Sequence, residues 1–123
     1  MTSTLPQSPA SPFSRRVSPL SERDIQRVLL VRLNQIPGVL AYRVNTLVAR
    51  AGPRTIRSVR KGHADILACA RGRFVAIEVK SPTGRQSDAQ SRFQSFVEAA
   101  GGRYLLARDV NSTLEAVRRI LED

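Results

Sequence analysis

Two apolar runs separated by a tight turn constrain this chain more than any other feature. Ala64 to Ala70 and Arg73 to Lys80 are dense in Ile, Leu, Val and Ala, and Arg71-Gly72 lies between them. Short apolar runs bounded by turn residues predict two antiparallel strands joined as a hairpin. With the turn centred on Arg71-Gly72, Ala70 pairs with Arg73, Cys69 with Phe74, Leu67 with Ala76 and Asp65 with Glu78. Side chains alternate between strand faces, so Asp65 and Glu78 leave the same face side by side. Their Cβ atoms would stand roughly 4.5–5.5 Å apart, where like charges repel. The apolar neighbours also strip water from both. Protein stability does not favour such a pair. A hard divalent cation, which takes carboxylate oxygens, does explain it. The pairing holds for a two-residue turn; a three- or five-residue loop would shift the register by one and separate the carboxylates.

Lys80 follows Glu78 by two residues and shares its face. The chain uses eighteen arginines and only two lysines, so a lysine at this position stands out. Lysine is a compact charge that can lose its proton, unlike arginine. Beside an activated water it would orient or deprotonate the nucleophile, or stabilise charge developing on a phosphate. An isolated Glu-x-Lys is ordinarily a salt bridge at a strand end. The register-matched Asp65 is what favours a metal site here. Of the ten acidic residues, Asp65 and Glu78 alone fall inside predicted strands.

The rest of the chain supplies a frame. Ser21 to Gln35 reads as a helix, with Ser21 as cap, Glu22 and Asp24 in the first turn, and Pro37-Gly38 beyond its end. Val39 to Ala49 reads as a strand, Ala51-Gly52-Pro53 as a turn and Thr55 to Arg60 as a short exposed strand. A helix from Ser87 to Ala100 opens on the capping box Ser87/Gln90 and ends at Gly101-Gly102. Arg103 to Ala107 is a strand. Ser112 and Glu115 read as a second capping box, opening a last helix that runs to about Leu121. The expected order is α-β-β-β-β-α-β-α, an α/β domain with one core over residues 21-123. Glu22 and Gln90 both fall near the apolar stripe of their helices, and each also has a purely local role, in the helix dipole and the capping box respectively.

Residues 1-20 hold four of the seven prolines among many Ser and Thr, which predicts a disordered tail. Nothing there has the form of a signal peptide, and no run is long enough for a membrane span. Cys69 is the only cysteine, which excludes an internal disulfide; it reads as a small core residue. The expectation is a soluble, intracellular protein.

The formal net charge is +10. From Ile25 to Ala64 there is no Asp or Glu, and the same stretch carries Arg27, Arg32, Arg43, Arg50, Arg54, Arg57, Arg60 and Lys61. Charge runs are usually solvated faces, but an acid-free stretch of this length points to a nucleic-acid partner. His63, the only histidine, lies next to the proposed site, where a structural role competes with a phosphate or metal contact. Tyr42, Phe93, Phe96 and Tyr104 read as core or rim packing, with no spaced platform for stacking bases. Walker and Rossmann loops, a Ser-His-Asp arrangement and a zinc cluster are all missing.

Asp65, twelve residues and then Glu78-Val79-Lys80 resemble the signature of the PD-(D/E)xK nuclease superfamily. The wider pattern resembles its VRR-NUC branch, the virus-type replication-repair nucleases. It runs through Ser21-Glu22-Arg23-Asp24-Ile25-Gln26, Gly62-His63-Ala64-Asp65-Ile66-Leu67, Ile77-Glu78-Val79-Lys80 and Ser87-Asp88-Ala89-Gln90, then Phe93 and Gly101-Gly102-Arg103-Tyr104. One departure is Ala64, where the superfamily's name has proline; this branch often lacks it. The resemblance spans roughly Ser21 to Leu121. It implies a restriction-endonuclease-like fold, with a mixed central β-sheet flanked by helices. Asp65 and Glu78 would bind Mg²⁺ or Mn²⁺, helped by the Val79 carbonyl. Lys80 would act on water or phosphate, Gln90 would support Lys80 and the water, and Glu22 would complete the site. Arg43 and Asn45 fall at family positions near the site, and Arg57, Arg60 and Lys61 would contact DNA backbone. Stand-alone members resemble structure-specific endonucleases, some acting on Holliday-type junctions. The expectation is such a stand-alone domain without a separate recognition module, so the implied substrate is branched DNA, cut by a homodimer that matches junction symmetry. The competing readings are a non-catalytic DNA-binding module with the same fold, a duplex nuclease with sequence preference, and an RNA-binding or ribosome-associated basic protein.

Overall fold

The computed structural model describes residues 20–45, 48–57 and 59–123. The expected disordered tail lies outside the described residues, apart from exposed Leu20.

Helix α1 spans Glu22–Leu33. The Ser21 hydroxyl accepts the Asp24 amide at 3.1 Å, as a cap should. Ile25, Leu29 and Leu33, one turn apart, form its buried face. Asn34 then ties the helix end to the first strand. Its side chain donates to the Leu30 and Ala41 carbonyls and accepts the Ala41 amide, all at 2.9 Å.

The strands are β1 (Val39–Arg43), β2 (Val48–Ala51), β3 (Arg54–Arg57), β4 (Ile66–Ala70), β5 (Arg73–Val79) and β6 (Arg103–Ala107). Helix α2 (Asp88–Ala99) joins β5 to β6, and α3 (Val110–Glu122) follows β6. Four strands form a mixed sheet in the order β1-β4-β5-β6, antiparallel except for the parallel β5/β6 pair. β2 and β3 form a separate two-stranded ribbon.

The central hairpin has the expected register: Ala70 opposite Arg73, Cys69 opposite Phe74 and Leu67 opposite Ala76. Its turn is the two-residue kind, with φ of 49° at Arg71 and 85° at Gly72. Positive φ at both central residues matches the twist of the flanking strands. One face of the sheet is closed by α1 and α3, with Ile66, Ala68, Val75, Ile77 and Val79 packed against Leu29, Leu33, Leu114 and Val117. α2 covers the other face only in part, through Val97 and Phe93 against Ala64, Ala76 and Tyr104.

Four expectations change. The strand expected over Val39 to Ala49 divides into β1 and β2, with Val44 and Asn45 outside either. The last helix begins at Val110 under an Asp109 cap, so Ser112 sits in its first turn with its amide and hydroxyl both bound to Asp109. Cys69 is exposed and not in the core, because its face of β4 extends past the cover of α2. Tyr42 and Phe96 are exposed as well.

Candidate active site

The site forms where β4 begins and β5 ends. Asp65 directly precedes β4, so the ladder register that ends at Ile66/Ile77 continues to place it opposite Glu78. The ladder also continues through its side chain: Asp65 Oδ2 accepts the Val79 amide at 2.8 Å. On the other side, the Asp65 carbonyl accepts the Val44 amide at 2.9 Å. Asp65 is therefore held by Val44, just after β1, and by Val79, the last residue of β5.

Glu78 is the buried acid of the site, only 4 % exposed. Its Oε2 accepts the Gln90 Nε2 amide at 2.7 Å and lies 3.9 Å from Lys80 Nζ. Oε1 is buried and makes no well-formed hydrogen bond among the described residues. Burial, with the neighbouring Asp65 charge second, pushes the Glu78 carboxyl from 4.5 up to about 8. Lys80 and the Asp65 backbone amide pull the other way without cancelling this. Near neutral pH and without a cation, the group thus favours its protonated form.

Gln90 carries both roles that its sequence position allows. Ser87 Oγ accepts the Gln90 amide at 3.1 Å, and Gln90 Oε1 accepts the Ser87 amide at 2.9 Å. This capping box consumes the oxygen of the side chain and leaves Nε2 to face Glu78. The direct partner of Nε2 is thus the Glu78 oxygen that also lies nearest Lys80. α2 is held close at this point. A Cβ built on Gly62 would lie 2.3 Å from the Ala89 carbonyl oxygen, and Gly62 has a φ of 80°.

Glu22 reaches the site from α1. Its Oε2 accepts the Ser81 amide at 2.8 Å, one residue beyond Lys80. Its charge also raises the Glu78 carboxyl, although less than Asp65 does. Sequence reasoning missed Arg108. Its Nη1 donates to the Ser81 carbonyl at 2.6 Å and the Gly84 carbonyl at 2.8 Å, clamping the loop after Lys80. Among eighteen arginines, no local signal marks this one. His63 places Nδ1 2.7 Å from the Ala64 carbonyl, beside the site and facing backbone.

The structure thus gathers Asp65, Glu78, Lys80, Gln90 and Glu22. Arg43 ends β1, opposite Ile66, and Asn45 is exposed just beyond it. Arg57 is exposed at the end of β3 in the ribbon. Arg60 stacks on the Phe96 ring, 4.5 Å from its centroid, and Lys61 is exposed before Gly62. Among the described residues no group of three or more His, Cys, Asp and Glu side chains forms a metal cluster. The donor set is two carboxylates. The buried, unpartnered Oε1 fits a cation, which would supply the missing partner and favour the ionised form that burial opposes. None of the described helices is long and apolar enough to cross a membrane. No family model matches the chain, and neither a curated protein nor a solved structure matches it.

Proposed function

We propose that the chain is a metal-dependent endonuclease of the PD-(D/E)xK type, hydrolysing phosphodiester bonds in DNA. The observation that carries the reading is Glu78: a buried carboxylate beside a second carboxylate and a lysine, with one oxygen unsatisfied. A structural ion pair would have no use for the extra acid. Mg²⁺ or Mn²⁺ would be held by Asp65 and Glu78, with the Val79 carbonyl as a third donor. When bound, the cation supplies Lewis acidity toward phosphate and a more acidic water. The chain's residues do the rest. Lys80 holds a phosphate oxygen or orients the attacking water. Gln90 fixes the rotamer of Glu78, Glu22 and Arg108 fix the loop behind Lys80, and Asp65 is locked by the Val79 amide. Water adds to phosphorus, one P–O ester bond breaks, and a proton passes to the departing oxygen.

The substrate we assign is branched DNA, and the acting species a homodimer whose two-fold axis matches a junction. Both follow from the family resemblance. A second reading, a DNA-binding module without catalysis, is favoured by one observation: among the described residues, no third acid joins the two carboxylates in a metal-holding cluster.

Cleavage of labelled four-way junction, flap, duplex and single strand, with Mg²⁺, Mn²⁺ or EDTA, decides between them. We expect metal-dependent cutting of the junction and a loss on the order of a thousandfold in Lys80→Ala. Tight binding with no cutting of any substrate supports the second reading. Defined cut sites on linear duplex replace the junction with a preferred sequence.

A further inference from the structure

We propose that Arg23, Arg27 and Arg43 form a phosphate-binding cleft that holds DNA backbone on the α1 side of the sheet. This rests on the nuclease reading for the identity of the strand, but its own evidence is separate. α1 and the end of β1 enclose a cleft of about 330 Å³, lined by Arg23, Gln26, Arg27, Leu30 and Arg43. Three arginines line it. The ion pairs formed among the described residues are Lys80–Glu78 and Arg103–Asp123, so no described acid neutralises any of the three.

The fold gains nothing from this arrangement. Arg23 and Arg27 are one turn apart on the same face of α1, where like charges repel. Arg23 also sits in the first turn of the helix, where the dipole favours anions. An external polyanion reverses both penalties. Guanidinium forks bind phosphate oxygens in pairs, and the Gln26 amide adds a donor.

The cleft lies on the α1 face of the sheet and Glu78 on the α2 face, both near the end where β1 stops and β4 begins. Arg43 pairs with Ile66, the residue after Asp65. Arg23 follows Glu22, which holds the loop after Lys80. Arg43 stands two strands from Glu78, about 10 Å at ordinary strand spacing. Their side chains leave opposite faces, so a backbone lying in the cleft would pass round the end of β1 and β4 to reach the carboxylates.

The test is fluorescence anisotropy of a labelled duplex oligonucleotide in EDTA, where cutting cannot occur. Arg23→Gln with Arg27→Gln is compared with Arg118→Gln and Arg119→Gln, which removes the same charge from exposed positions late in α3. Arg43→Gln is measured alone. We expect the cleft pair to weaken binding on the order of tenfold near 0.1 M salt, and to lower the slope of log affinity against log salt by about 2. Arg43→Gln should lower that slope by about 1, and the α3 pair should change little. Equal losses from both pairs would mean net charge alone, and would overturn the cleft. So would unchanged binding in the cleft pair and in Arg43→Gln. The nuclease reading fails separately. A wild-type chain that cuts nothing, yet loses binding through the cleft arginines, keeps the cleft and rejects the enzyme. A wild-type chain that cuts, with cleft variants that bind normally, does the reverse.

Discussion

Two antiparallel hairpins, β2–β3 and β4–β5, lie next to each other in the sequence and meet opposite fates. All eight strand residues of β2–β3 are exposed, Arg50, Arg54 and Arg57 among them. β4–β5 lies at the centre of the sheet, and from Val75 to Val79 every residue is buried. Each hairpin carries charge, but of opposite sign and in opposite settings. The buried one holds a carboxylate whose ionisation is opposed by its surroundings. The exposed one holds cations that water solvates fully. Chemistry on a phosphate needs groups with altered acidity, which burial provides. Holding a polyanion needs only accessible positive charge, which burial would waste.

The largest effect expected from this contrast is a pH dependence of stability that belongs to Glu78. Its folded carboxyl sits at about 8, far above the 4.5 of the unfolded chain. A raised value means that the folded state binds the proton more tightly. The contribution is therefore complete below about pH 4.5 and disappears as pH rises through 8, a loss on the order of 5 kcal/mol. Without divalent cation, the urea midpoint should fall across that window. Glu78→Gln, which keeps the shape and removes the charge, should flatten the fall. Mg²⁺ or Mn²⁺ at pH 8 should raise the wild-type midpoint and leave the variant unmoved. A wild-type midpoint that does not fall between pH 5 and 8 would sink the idea that this acid is strained in the fold.

The next effect tests how tightly the buried hairpin is held against α2. Gly62→Ala puts a Cβ onto the Ala89 carbonyl at a backbone angle that favours glycine. The clash and the angle together should cost about 2–3 kcal/mol in urea unfolding. They should also pull Gln90 from Glu78, since Gln90 follows Ala89 directly. Cleavage should then fall more than the lost stability explains. Wild-type stability in this variant would mean that α2 moves away at no cost.

The same contrast explains what could be read from sequence. The β4–β5 register was legible because alternation is strict and the two-residue turn fixes the pairing, so Asp65 and Glu78 could be matched by counting. Gln90 was legible through its capping box, though not its partner, because a helix pattern does not say which strand residue it meets. The start of α3 was misread because Asp109 and Ser112 are both capping residue types, and the apolar stripe alone does not choose between them. Arg108 was invisible for a different reason. Its acceptors are backbone carbonyls 24 and 27 residues earlier, and no side-chain pattern records them. The exposure of Cys69 depends on how far α2 reaches across the sheet, which is a property of packing and not of periodicity.

The smallest effect on folding should come from the ribbon, and it separates binding from catalysis. Arg50, Arg54 and Arg57 sit on exposed strands and form no salt bridge with any described residue. Replacing each with alanine should change stability by no more than about 0.5 kcal/mol, because no packing or pairing is lost. If the ribbon grips DNA backbone, the triple variant should lower the salt slope of binding by up to about 3, one for each phosphate released. An isolated two-stranded ribbon is marginal in water, so its persistence beside a well-packed sheet is easier to understand if a partner covers it. Cleavage at low salt should survive, because the carboxylates and Lys80 are untouched. A triple variant that binds DNA with an unchanged salt slope would remove the ribbon from the interface and leave the arginine cleft between α1 and β1 as the principal contact. A triple variant that binds normally but no longer cuts would break the division between the hairpins, since it would make the exposed one part of the chemistry.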